Sequence, residues 1–406
     1  MNTKKYYVYQ FVKDLMPIYS IFMLMFENNG MAISEIFLLL TIWNIPVILL
    51  EIPSGILADR WSRKNLIVIG SLLKTLCFAA WITSDSFTLY AIGFACWGIS
   101  SACTSGAEEA LIYDSLKSKQ EEDQFEKVIS RGRFLSSFSI TLASLAGGFL
   151  MMYIGANVAL MISIIFGAIS IYISLSFKEV NLSKHQKKSS MEIPTILADE
   201  VTFFRKNKST AILVLLFIFV IGTAGVLDEF DQLIAKDFGL SIGAIGIWIT
   251  FRNLLCSLGS LVAPYIRIFY SKVFRIRNNS TLIVHLCIFA GLSLGAASCI
   301  RELWAMAFYA TYFLLMASCE VMVENDVHQE IEEEGRSTIQ SMISLAFEMF
   351  AIMYYGLLGI VLSFTSIFGG VLFVAIYVVA ITIMLYVLNK LLCQPNGCKT
   401  HEKVLK

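Results

Sequence analysis

Charge and histidine are scarce in this chain, and each scarcity excludes something. Only 15% of the 406 residues are charged, against 57% hydrophobic. A soluble chain of this length needs far more polar surface. The 31 Lys and Arg balance 31 Asp and Glu, so no net charge draws the chain to nucleic acid. The four histidines, His185, His285, His328 and His401, have no ligand spacing, and the nine cysteines show no zinc-type pairing. Most of the cysteines lie in apolar stretches, and Cys393 and Cys398 fall near the C-terminus; they read as reduced, structural thiols. No glycine loop suited to cradling phosphate is present. The sequence therefore offers no support for an enzyme, a cofactor, a metal, or transport driven by ATP on this chain.

Apolar sequence in long pieces is what the chain has. Twelve runs cover 12–28, 34–57, 66–84, 87–112, 134–154, 157–177, 210–228, 242–268, 281–300, 303–323, 338–363 and 366–389. A helix that crosses a bilayer needs about 20 such residues. The runs are continuous rather than alternating, which excludes a closed barrel. Lys and Arg fall in alternate gaps, with Lys13 and Arg267 at the inner edges of their runs. Only Lys236 and Arg301 lie in outer gaps, and only Lys74 and Arg252 lie deep within runs. That bias places both termini in the cytoplasm. The first run has no small-residue cleavage site after it and reads as a retained helix. Most outer connections are short; the one between the seventh and eighth runs is longer and acidic, with Asp228, Glu229, Asp231 and Asp237.

A basic stretch, 178–209, divides the chain into a six-helix bundle over 1–177 and another over 210–389, followed by a tail over 390–406. Within that stretch Met191–Phe204 reads either as an amphipathic helix on the inner leaflet or as a solvated linker. The halves resemble each other. Gly132-Arg133 opens the fifth run and Gly335-Arg336 the eleventh. Each follows a run ending in acids: Glu108, Glu109 and Asp114 in one half, Glu320, Glu324 and Asp326 in the other. The expected fold is an all-α membrane protein of twelve transmembrane helices in two pseudo-symmetric halves, with its site between them.

Between the second and third runs the chain reads Glu51-Ile-Pro-Ser-Gly-Ile-Leu-Ala-Asp-Arg-Trp-Ser-Arg-Lys-Asn65. This resembles the loop signature of the major facilitator superfamily, G-x-L-a-D-r-x-G-r-k, with Ser62 in place of the second glycine. Gly55 permits a close helix approach or a turn. Asp59 is suited to a helix N-terminus, which the resemblance identifies as the eleventh helix, starting near Arg336. Arg60, Arg63 and Lys64 are placed to pair with acids such as Asp114 and hold the inner side shut. Arg133 belongs to the same gate. The Glu51-Ile-Pro-Ser-Gly form, with Glu109-Ala-Leu-Ile-Tyr-Asp114 and Arg131-Gly-Arg133, resembles a bacterial branch assigned to drug efflux. Ala143-Ser-Leu-Ala-Gly-Gly148 partly matches the antiporter signature G-P-x-x-G-G: the glycine pair is kept and the Gly-Pro is not.

Charges inside apolar runs are the functional candidates, because exposure to lipid costs at least ~2.5 kcal/mol at a helix centre. Glu348 and Arg252 lie near mid-run and form the candidate proton-coupling pair, with Glu109, Glu320 and Glu51 behind them; a static buried pair is the competing reading. Lys74 either snorkels or pairs with an acid. Tyr19, Trp97, Tyr309 and Tyr312 are candidate substrate contacts. The resemblance implies a secondary active exporter of a drug, antibiotic or toxin, coupled to protons and working by alternating access as a monomer in the bacterial inner membrane. A proton-coupled nutrient symporter and a non-transporting receptor or assembly protein are the alternatives.

The charge pattern carries its own test. In a cysteine-free background, single cysteines at Ser34 and Lys236 are expected to react with impermeant maleimide from outside, and one at Ser118 only after permeabilisation. External labelling at Ser118 would reverse the topology.

Overall fold

The computed structural model describes residues 2–83, 85–121, 124–179, 204, 207–274, 279–330 and 336–392; for some of these, Asp59, Arg60 and Arg336 among them, only the backbone is described. Regular structure among them is helical throughout. The N-terminal elements are α1 (Asn2–Lys13), a 3-10 turn at Pro17–Ser20, α2 (Phe22–Asn28), α3 (Ile33–Arg60), α4 (Arg63–Thr83), α5 (Phe87–Thr104), α6 (Ala107–Lys117), α7 (Phe125–Tyr153) and α8 (Ala156–Leu175). Then follow α9 (Lys208–Leu216), α10 (Gly222–Asp237), α11 (Ile242–Phe274), α12 (Asn279–Ile300), α13 (Met306–Glu330), α14 (Arg336–Phe364) and α15 (Ile367–Leu392). Among the described residues, eleven spans are long and apolar enough to cross a membrane; α5 with α6 forms one, and α9 with α10 another. The first span is divided. The amphipathic reading of Met191–Phe204 and the pair Cys393 and Cys398 fall outside the described residues, apart from Phe204.

Hydropathy starts the first span at residue 12, but the helix starts at Asn2. The polar stretch before Lys13 is enclosed rather than solvated. Asn2 and Gln10 are buried. Asn2 Nδ2 donates to Ser115 Oγ at 2.7 Å and to the Lys178 carbonyl at 2.8 Å, while the Lys178 amide donates back to Asn2 Oδ1 at 3.0 Å. Tyr6 and Tyr9 join Leu66, Ile67, Leu111 and Val128 in a buried cluster. Lys13 and Asp14 thus stand in the middle of the span instead of at its edge.

Pro17 breaks this span. Proline lacks an N–H and disfavours helix at the preceding residue, and Met16 is extended at φ −116°, ψ 96°. Pro46, Pro53 and Pro264 sit inside unbroken helices instead. A second break separates α5 from α6 at Gly106, whose φ of +57° is a left-handed conformation that other side chains resist.

The residues pack into two compact units. One comprises 1–189, 229–253 and 351–367; the other comprises 190–228, 254–350 and 368–406. In the first unit α7 lies against the Pro17 turn with no room to spare. A Cβ at Gly147 would meet the Pro17 carbonyl and Ser20 Oγ. Ser20 Oγ donates to the Ser144 carbonyl at 3.1 Å, and the Ile18 amide donates to Ser163 Oγ at 3.3 Å. Large apolar side chains such as Tyr172, Leu261 and Phe364 are exposed on the helix faces, as lipid solvation permits. Gly147→Ala is expected to lower stability by about 1–3 kcal/mol through overpacking, read as a lower melting temperature in detergent.

Candidate functional site

The break at Pro17 leaves backbone groups unpaired where apolar spans meet, and charged side chains gather there. Lys13 closes α1 and donates to Glu108 Oε2 at 2.7 Å. Gln10 Nε2 donates to the same oxygen at 2.6 Å. Glu108 stands in the first turn of α6, directly after the Gly106 break, and is 8% exposed. Its other oxygen is buried with no hydrogen-bond partner among the described residues. Next to Lys13, Asp14 accepts from Lys74 Nζ at 3.0 Å and from Ser136 Oγ at 2.6 Å. Lys74 Nζ also donates to the Lys13 carbonyl, freed by the break, at 3.1 Å.

Two cations and two anions therefore occupy one enclosed region, on α1, α4 and α6 and on the segment after α1. Lys74 Nζ lies 5.2 Å from the Tyr19 ring centroid, within cation–π range. The Tyr19 ring stacks on Trp97 at 5.2 Å and 11°, and both rings are half-buried. The expected substrate contacts Tyr19 and Trp97 are thus joined to the charges. Tyr309 and Tyr312 differ: both are fully buried in α13, and the Tyr312 hydroxyl lies 2.8 Å from Thr223 Oγ1. In this conformation they are packing residues, with no face turned to a ligand.

A second buried pair lies on α10 and α11. Arg252 Nε is 2.9 Å from Asp231 Oδ2, with side chains 6% and 1% exposed. Trp248 Nε1 donates to Asp231 Oδ1 at 2.7 Å. Asp231 looks from the sequence like part of an acidic outer loop; it is a buried residue of α10 and the partner of Arg252 within its unit. Glu348 is a half-buried residue of α14 in the other unit. Glu320 is exposed on α13.

At the loop motif, Arg63 pairs with Asp114 as expected and donates to the Ala110 carbonyl at 3.0 Å. Glu179, which no motif singles out, caps α4: it accepts from the backbone amides of Arg63 and Lys64 at 3.1 and 3.0 Å and from Ser62 Oγ at 2.7 Å. A carboxylate at a helix N-terminus is favourable. Arg133 and Glu109 lie 2.9 Å apart but are well exposed, so the pair adds little. Glu51 accepts from Ser105 Oγ at 2.8 Å, at the α5–α6 break. Among the described residues, Gly55 meets no close neighbour. It lies inside α3, and nothing approaches within 4 Å of where its Cβ would be. The side chains of Asp59, Arg60 and Arg336 lie outside the described set.

The second unit repeats the arrangement of Arg63. Arg267 contacts Asp326 at 3.0 Å and donates to the Met322 carbonyl at 3.4 Å. In each case an arginine spans an aspartate near the end of a helix and the carbonyl one turn earlier.

The profile of the Major Facilitator Superfamily matches residues 11–353. The chain belongs to this superfamily. The fold is an all-helical, multi-pass membrane protein, and the superfamily is one of transporters, not enzymes. A Bacillus subtilis (strain 168) protein named uncharacterized MFS-type transporter YxaM is 22% identical over 214 residues, 52% of this chain and 53% of that protein. The chain spans about half the length of this curated relative. The crystal structure of the nucleoside transporter NupG superposes with a TM-score of 0.72 at 16% identity, covering 96% of this chain and all of that one. The POT family transporter PepTSo gives 0.70 at 13% identity, covering 97% and 99%. A D-xylose-proton symporter gives 0.67 at 12% identity, covering 95% of each chain. At these identities the likeness establishes the fold alone.

The Asp14–Lys74 pair yields a stability prediction. Lys74→Met leaves a buried carboxylate uncompensated and is expected to cost about 3–5 kcal/mol. The double variant with Asp14→Leu should recover most of that loss in detergent melting. Equal losses in the single and double variants would show that the pair is not the source.

Proposed function

We propose that the chain is a proton-coupled secondary transporter exporting a small, partly apolar compound by alternating access. The observation that carries the coupling is the enclosed quartet Lys13, Asp14, Lys74 and Glu108. Two positive and two negative groups balance, so a proton gained or lost changes the sum by one whole charge where water is excluded. Glu108 is the proton carrier in this reading. Its bonded oxygen holds Lys13 and Gln10, and its second oxygen is free to take the proton when Lys13 moves away. The half-buried rings of Tyr19 and Trp97 supply an apolar surface beside Lys74. Arg63 with Asp114, and Arg267 with Asp326, serve as inner latches, one in each half. The molecule works as a monomer in a bacterial inner membrane with both termini inside.

Export is supported by the Glu51-Ile-Pro-Ser-Gly form and the Arg131-Gly-Arg133 segment, which resemble the drug-efflux branch. Uptake by symport is the second reading, prompted by similar folds named for nucleosides, peptides and D-xylose with protons. Ethidium movement into inverted vesicles, powered by respiration, separates the two directions.

Glu108→Gln keeps size and hydrogen-bonding capacity but cannot cycle a proton. In liposomes with an imposed pH gradient, it is expected to reduce ethidium accumulation to the level of protein-free liposomes while leaving downhill exchange intact. Accumulation that survives the substitution moves the coupling role to Glu348, with Glu320 and Glu109 next.

A further inference from the structure

Helix α10 reaches into the break of the first span through one side chain. Gln232 is 4% exposed. Its Nε2 donates to the Tyr19 carbonyl at 2.9 Å, and its Oε1 accepts from the Met23 amide at 3.1 Å. Both backbone groups stand at the second irregularity of the span, where Ile21 leaves helical geometry at φ −139° and α2 begins. An N–H in the first turn of a helix has no intrahelical acceptor. The Gln232 amide therefore bridges the two pieces, using one donor and one acceptor at once.

The neighbours of Gln232 connect it in both directions. Asp231, the residue before it, fixes α10 to α11 through Arg252 and Trp248. Lys236, one turn later, lies 2.8 Å from Glu27 of α2. Phe230 of α10 stacks on Phe37 of α3 at 3.8 Å, and Leu40 continues that buried face of α3 by one turn. In the other direction Tyr19 is the ring over which Lys74 sits, and the short segment from Tyr19 back to Lys13 carries the charged groups. A displacement of α10 therefore pulls on Tyr19 and Met23, and through them on the Lys13–Glu108 and Asp14–Lys74 pairs.

We propose that Gln232 is a positioning residue that links closure of the outer ends of α3 and α10 to the state of the charge quartet through the divided first span. This rests on the coupling role proposed for Glu108, but its test needs neither substrate nor a proton gradient. A cysteine replaces Leu40 in a cysteine-free background, and its reaction with an impermeant maleimide is timed in detergent. Gln232→Leu is expected to raise the labelling rate about threefold, the scale of a modest side-chain coupling. Glu108→Gln alone is expected to change the rate by a similar factor. In the double variant the Glu108→Gln effect is lost, because the linkage that transmits it is gone.

Independent, multiplying effects would overturn the proposal, as would no response to either single substitution. If Gln232→Leu does not fold, Gln232→Glu replaces it. That variant keeps the acceptor for the Met23 amide and removes the donor to Tyr19, so it should reproduce the loss of linkage. Failure of proton-driven flux with a non-additive labelling cycle would remove the transport reading and leave the linkage standing. The reverse result would do the opposite.

Discussion

An apolar span has no water to satisfy what it leaves unpaired, so every freed backbone group and every charge needs a partner from the protein. In this chain the demand is greatest at Pro17. The proline removes one donor and forces Met16 out of helix. The partners then come from five directions: Lys74 for the Lys13 carbonyl, Lys74 and Ser136 for Asp14, Ser163 for the Ile18 amide, Gln232 for Tyr19 and Met23, and Glu108 for Lys13. The close contact at Gly147 follows from the same break, because α7 must come near enough for Ser144 to accept from Ser20. One local backbone constraint thus organises much of the first unit.

The end of α6 and the Asp326 region of α13 are held by a different device. Arg63 and Arg267 each use a planar guanidinium to meet a carboxylate and a backbone carbonyl together. A lysine, with a compact charge, would satisfy one of those acceptors better than both. Finding the same geometry in both halves gives physical content to a repeat that shows in the sequence only as Gly-Arg dipeptides and clustered acids. The pairs join helices of the same half. Each joins two neighbouring helices near their ends.

The spans, the loop motif and the Arg63–Asp114 contact were legible in the sequence because each depends on local composition or fixed spacing. The charge quartet was only half legible. Lys74 and Glu108 stand out as charges in apolar runs, but Asp14 does not, because hydropathy puts the start of its run at residue 12. The residues before it are polar yet enclosed by Ser115 and the Lys178 backbone, contacts more than a hundred residues away. Asp231 was hidden by the same limitation: three other acids nearby make it look like loop, and only the position of Arg252 and Trp248 shows that it is buried. Glu179 and Gln232 carry no sequence signal, since a cap and a bridge are defined by what they touch. Tyr309 and Tyr312 differ again: their aromatic identity is plain in the sequence, but their full burial depends on packing that the sequence does not show.

The arrangement of the quartet also ties its two ion pairs together. Lys13 and Asp14 are consecutive in the chain, so the two ion pairs start from one short stretch of backbone. The Lys13 carbonyl is held by the same ammonium that pairs with Asp14. Lys74 thus touches both residues of that stretch, one through its side chain and one through its backbone. A break in the helix is what permits this, because a continuous helix would commit the Lys13 carbonyl to its own backbone and leave Lys74 with Asp14 alone.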